Sequence, residues 1–258
     1  MIVPVLGLLA MSQSPMMSMP GYKLVWSDEF NYRGLPEPKK WNYEIGYVRN
    51  DERQYYTKDR IQNARVADGK LTITALADNF DNKQITSASV TTSEAFPFTY
   101  GYIEVKAKVP TGKGTWPAIW MLGKNIGKVG WPLCGEIDML ENVGYDPEKV
   151  HFNVHTKAYN HSIQTNKGTN IIIPKVWDDF HTYGLEWTQN SLRWFFDGKQ
   201  VFEFKKESDD VEKWPFNEPQ YLILNLAIGG AWGGQQGIDP KIYPSKFEVD
   251  YVRIYQKK

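Results

Sequence analysis

A single cysteine, Cys134, occurs in the 258 residues, so no disulfide can form within the chain. An excess of charge of one sign is also missing, because 30 Lys and Arg balance 30 Asp and Glu. A net charge of zero carries no electrostatic footprint for nucleic acid or another polyanion. No segment has sustained helical periodicity, and no internal repeat is present. The apolar run Ile2 to Ala10 is too short to span a membrane. It has the character of a secretory-signal core without the usual basic start. Ser12 to Pro20 reads as a polar linker. Residues 1–20 are therefore expected to be a signal remnant and linker, residues 21–258 one domain, and the protein secreted, periplasmic or cell-surface.

What the chain has is alternation. Leu71, Ile73 and Ala75 share one face of a strand, and Ile103, Val105, Ala107 and Val109 share another. Leu192, Trp194 and Phe196 alternate into Asp197-Gly198, a two-residue hairpin signal. Tyr221 to Ile228 is almost continuously apolar and is expected to be a central strand buried on both faces. Many short strands punctuated by Gly and Pro predict an all-β sandwich or barrel. Lys39 to Tyr56 is polar, aromatic and irregular, which suits a loop-rich rim.

The acids concentrate in Gly135-Glu136-Ile137-Asp138-Met139-Leu140-Glu141-Asn142. In a strand, Glu136 and Asp138 point the same way and Glu141 points away. One extra residue at Met139-Leu140, a β-bulge, restores the match. Glu136 and Glu141 would then stand about 13 Å apart at Cα. Inward-leaning side chains could bring their carboxyl groups to roughly 5 Å, the spacing of retaining glycoside hydrolysis. On Val150 to Thr156, His151, Asn153 and His155 share a polar face, which fits a wet cleft or the surface. Ten Trp add flat apolar faces that suit sugar rings, although such residues also serve as core.

Glu136-Ile137-Asp138-Met139-Leu140-Glu141 resembles the Glu-x-Asp-x-x-Glu signature of glycoside hydrolase family sixteen in its bulged, laminarinase-like form. The likeness continues in Trp26-Ser27-Asp28-Glu29-Phe30, Gln54-Tyr55-Tyr56-Thr57, Asp68-Gly69-Lys70-Leu71 and Trp116-Pro117-Ala118-Ile119-Trp120-Met121-Leu122. It extends to Phe180-His181-Thr182-Tyr183, Gly229-Gly230-Ala231-Trp232-Gly233-Gly234 and Val249-Asp250-Tyr251-Val252-Arg253-Ile254-Tyr255. The resemblance implies a concanavalin-like β-jelly roll of two curved antiparallel sheets with a concave substrate cleft. It also implies a monomeric endo-β-1,3(4)-glucanase acting on a β-glucan polysaccharide with retention. Glu136 would be the nucleophile, Glu141 the acid/base, and Asp138 the carboxylate that holds Glu141 protonated and orients Glu136. Asn50, Glu52, Arg65, Trp116, Trp120, His155 and Trp232 match substrate-binding positions. Asp51 departs from the Asn-Asn-Glu run common there. No cofactor is implied for catalysis. A structural Ca2+ would take Glu29, the Gly69 carbonyl and Asp250, and hard oxygen ligands fit that ion.

Rival readings remain at this level. The same architecture serves lectins, so a non-catalytic carbohydrate-binding domain is one alternative. A transglycosylase or a galactan hydrolase of the same family is another. A Cys134 nucleophile with His155 as its base lacks a supporting pattern. A zinc site on His151 and His155 lacks the His-Glu-x-x-His spacing.

Overall fold

The alternating segments become strands of two stacked antiparallel sheets. The computed structural model describes residues 20–258, so the leader expected over residues 1–20 falls, apart from Pro20, outside the described residues. One sheet, which carries the acids, runs in the order Lys167–Ile172, Lys149–His155, Glu136–Glu141, Thr115–Gly123, Gln220–Ile228, Ser89–Thr91, Asn42–Tyr43. The back sheet runs Lys199–Lys205, Ser191–Phe196, His181–Trp187, Gly101–Lys108, Ser245–Lys257, Lys70–Ala75, Ala64–Ala67. Tyr22–Asp28 pairs with Ser245–Lys257 beside it. Helix is confined, among the described residues, to Ile126–Val129 and two short 3-10 turns. None of the helices is long and apolar enough to cross a membrane.

The pleat sends alternate side chains between the sheets. Leu71, Ile73, Ile103, Val105 and Ala107 come from the back sheet and are fully buried. Ile119, Met121, Ile137, Phe152 and Val154 meet them from the acid-bearing sheet. All nine residues of Gln220–Ile228 are buried, as its almost continuous apolar run predicts. Leu222, Leu224 and Leu226 enter the main core. Tyr221 and Ile223 join Ala118, Trp120, Leu122 and Cys134 in a second cluster on the other face, beneath the cleft.

The hairpin signal at Asp197-Gly198 is realised. Both residues have positive φ, 46° and 77°, which a type I′ turn requires. The Asp197 carboxylate also accepts a hydrogen bond from the backbone N–H of Thr182 at 2.8 Å, tying the turn to the neighbouring strand.

Phe152 is fully buried, one residue before Asn153 on the polar face. Phe152→Ala is expected to cost about 3–5 kcal/mol of stability, read as a lower denaturant midpoint with an unchanged slope.

Candidate active site

Register places the acids. Glu136 lies opposite Leu122 on one neighbouring strand and His155 on the other. Asp138 lies opposite Trp120 and Asn153. The pairing then slips: Leu140 meets Ile119, and Glu141 meets Ala118 and His151. That slip is the bulge. Met139 and Leu140 both enter the core, at 1% and 0% exposure, and Glu141 returns to the face that holds Glu136 and Asp138. His151, Asn153 and His155 line the same face from the next strand.

Each glutamate rests on an indole. Trp131 Nε1 donates to Glu136 Oε2 at 2.8 Å, and Trp116 Nε1 donates to Glu141 Oε1 at 3.2 Å. Asn153 Nδ2 donates to the other oxygen of Glu141 at 3.1 Å. His155 Nε2 sits 3.4 Å from Asp138 Oδ2 and 3.7 Å from Glu136 Oε1.

All three acids are pushed up to about 8. Burial is the first cause for each, because an apolar setting disfavours the charged form. The charge of Asp138 adds to the rise of both glutamates, and Glu141 adds to that of Glu136. His155 and the indole N–H groups oppose it, as does Asn153 for Glu141. The acids therefore titrate as a set. Asp138 has 3% side-chain exposure against 15% for Glu136, and it lies in hydrogen-bonding contact with Glu136. That hydrogen bond favours the charged form of Asp138, and because like charges so close resist ionising together, the two acids share a proton between them. Glu136, with its indole donor and its opening to the cleft, is the better carboxylate.

The rim is built by two loops bound to each other. Ala231 N–H donates to the Asn50 carbonyl at 2.8 Å, and Arg53 N–H donates to the Ile228 carbonyl at 2.8 Å. Gly230 has φ 77°, and a Cβ there would stand 2.9 Å from the Asn50 carbonyl. Only glycine allows that approach. Glu52 is buried and accepts from Gln54 Nε2 at 2.7 Å, Tyr56 Oη at 3.1 Å and Asn50 Nδ2 at 3.2 Å. Asp51 is exposed. The half-buried Trp232 stands edge-on to Trp116, with ring centres 5.6 Å apart, and to His151 at 4.8 Å.

Trp116 and Trp120 share the cleft face, as the regular register between them requires. Trp120 is nonetheless no open platform. Its indole donates to Asn225 Oδ1 at 2.7 Å, and the Arg49 guanidinium covers its ring at 4.8 Å. Trp116 and His155 contact the acids, Trp232 packs on Trp116 and His151, and Asn50 and Glu52 lie at the glycine loop next to Trp116.

Arg65 lies elsewhere, on Ala64–Ala67 of the back sheet, exposed between the core residues Ala64 and Val66. Strand alternation therefore turns it outward, where it lines a groove with Arg33, Lys70 and Lys246 on the side opposite the acids. Its expected place in the cleft is corrected accordingly.

The expected calcium ligands are otherwise engaged. Arg253 grips Glu29 through two hydrogen bonds, at 2.9 and 2.8 Å, and Lys106 pairs with Asp250 at 2.9 Å. Gly69 sits in the turn between Ala64–Ala67 and Lys70–Ala75 with φ 76°. With each carboxylate matched to a cation, these residues do not fit a calcium ion as arranged. Cys134 is fully buried, and burial, followed by the charge of Glu136, pushes its thiol up to about 11. That is the reverse of an activated nucleophile.

Sequence reasoning missed Trp131, Asn153 and Arg49 as members of the site. The signal for Asn153 was available, since it shares the polar face with His151 and His155. Trp131 and Arg49 lie on loops, whose course alternation does not report.

Two glutamates on one face of a sheet, with a third buried acid between them and tryptophan beside them, are the pair of carboxyl groups that glycoside hydrolysis uses. The comparisons agree. Residues 51–253 match the model of glycosyl hydrolases family 16. A β-glucanase of Rhodothermus marinus is 48% identical over 246 residues, spanning 92% of this chain and 86% of that protein. A glucan endo-1,3-β-glucosidase A1 of Niallia circulans is 34% identical, over 92% of this chain and 38% of its own length. The crystal structure of the laminarinase from Rhodothermus marinus superposes with a TM-score of 0.89 at 47% identity, covering 93% of this chain and all of that one. The chain belongs to glycosyl hydrolases family 16.

The electrostatics give two shifts of opposite sign. Asp138→Asn removes an acid that raises Glu141, so the basic limb of the kcat/KM profile should move to lower pH. Asn153→Ala removes a donor that favours ionised Glu141, so the same limb should move to higher pH. The pH dependence of kcat/KM on a soluble glucan reads both.

Proposed function

We propose that the protein is an endo-acting glycosidase that hydrolyses β-1,3 bonds of laminarin-type glucans, or bonds of mixed β-1,3/1,4-glucans, with retention. The observation that carries this reading is the bulge that returns Glu141 to the face of Glu136. Glu136 attacks the anomeric carbon as Glu141 protonates the glycosidic oxygen. The C–O bond breaks and a glycosyl ester forms on Glu136. Glu141, now ionised, takes a proton from water, whose oxygen displaces Glu136 and restores the β configuration. Asp138 supports both steps, by the proton it shares with Glu136 and by its charge beside Glu141. Trp116, Trp131 and Trp232 offer aromatic edges and faces to the sugar. The names of the relatives, β-glucanase and glucan endo-1,3-β-glucosidase, support the substrate class.

A polymeric substrate lies outside the cell, which supports action in the periplasm, at the cell surface or in the medium, and a monomer suffices for a site built from one chain. A purely lectin-like reading is disfavoured because binding needs no buried acid set of this kind.

Glu136→Gln is expected to leave the fold intact and to lower kcat by several orders of magnitude on laminarin. Near-normal turnover would refute the assigned role. Proton NMR of the first product should show the β anomer, and a panel of laminarin, barley glucan, lichenan, agarose and xyloglucan identifies the preferred bond.

A further inference from the structure

We propose that Trp194, on the back sheet, is a positioning residue for the acids: its indole N–H holds the Asp138 carbonyl and fixes the bulge that aligns Glu141 with Glu136. The proposal rests on the reading of those two glutamates given above.

Trp194 lies on Ser191–Phe196, where Leu192, Trp194 and Phe196 alternate into the core. It is fully buried, and its ring packs against Phe202 at 5.0 Å. Its Nε1 donates to the carbonyl oxygen of Asp138 at 2.8 Å, across the sandwich and 56 residues away in sequence. At Asp138 the register breaks toward both neighbours, and the carbonyl is turned into the space between the sheets.

A carbonyl in that position has no access to water and is costly to leave unpaired. A rigid indole reaching from the opposite sheet satisfies it at one place only. A bulge slipped by one residue would move that carbonyl off the donor and turn an acid into the core, because a single step inverts every side chain. The contact therefore selects the one register in which Glu136, Asp138 and Glu141 share a face. Trp194 touches neither sugar nor reacting atom, and it acts through the backbone of Asp138.

The test removes the N–H and keeps the ring. Trp194→Phe does so simply, and 3-benzothienylalanine at position 194 preserves the bicyclic shape and decides the matter if the Phe protein does not fold. Trp187→Phe is the control. Its indole is equally buried and donates to the Phe216 carbonyl at 3.1 Å, in the same core but not to the acid-bearing strand. Loss of the N–H at 194 should lower kcat on laminarin by about tenfold or more, since small misplacements of reacting groups carry penalties of that size. KM should stay within about twofold on the same argument, and the basic limb of kcat/KM should move. Trp187→Phe should keep kcat and the pH profile even where its Tm falls equally. The proposal is overturned if the position-194 proteins lose Tm but keep kcat and the pH limb, or if Trp187→Phe loses kcat to the same degree. The Glu136→Gln result is independent of both outcomes, so failure here leaves the assignment of the acids standing.

Discussion

The site depends on one extra residue in a strand. A pleated strand gives its two faces strictly in turn, so Glu136 and Glu141 would fall on opposite sides of the sheet. The bulge after Asp138 spends two consecutive residues, Met139 and Leu140, on the core and restores Glu141 to the cleft. Apolar side chains at both positions make this arrangement stable: each gains burial, and neither leaves a polar group between the sheets. The same choice sets the surroundings. His155, Asn153 and His151 oppose the three acids in order from the adjoining strand, and the side chains lean across that register, Asn153 to Glu141 and His155 between Asp138 and Glu136.

Electrostatics then separate the roles of three residues that are chemically almost alike. Burial raises all of them, and mutual repulsion raises the glutamates further. What differs is the local donor set. Glu136 has the Trp131 N–H and an opening to the cleft, Glu141 has Trp116 and Asn153, and Asp138 is the deepest. Pairs of acids whose environments differ in this way divide into a carboxylate and a proton donor at neutral pH. The tryptophans thus have a second use besides sugar contact, since Trp116 and Trp131 each orient a glutamate through an indole N–H.

Much of this was legible in the sequence, because period-two alternation reports directly on which face a side chain takes. Ile103, Val105 and Ala107 are core, Tyr221 to Ile228 is buried throughout, and the bulge follows from the parity of three acids. At Arg65 alternation was not consulted, and the reading failed. Arg65 sits between two core residues, Ala64 and Val66, and is for that reason on the outside of the back sheet. Trp120 has the right face but is covered by Arg49, a loop residue whose position depends on its cation–π contact and on Glu44. Glu29 and Asp250 are each met by a base, Arg253 and Lys106, and a motif that names acids does not name their partners. Trp131 escaped notice because it lies on the loop before the acidic strand, where no periodicity applies.

The central claim is that Glu136 and Glu141 act on one sugar from one face, with Glu136 forming the covalent bond. The most direct test is to trap that bond with a 2-deoxy-2-fluoro laminari-oligosaccharyl fluoride, digest the protein and locate the added mass by peptide sequencing. The account predicts a single sugar ester on Glu136, formed with loss of activity. Attachment at Glu141, or no covalent adduct under turnover with an α-configured first product, would contradict it.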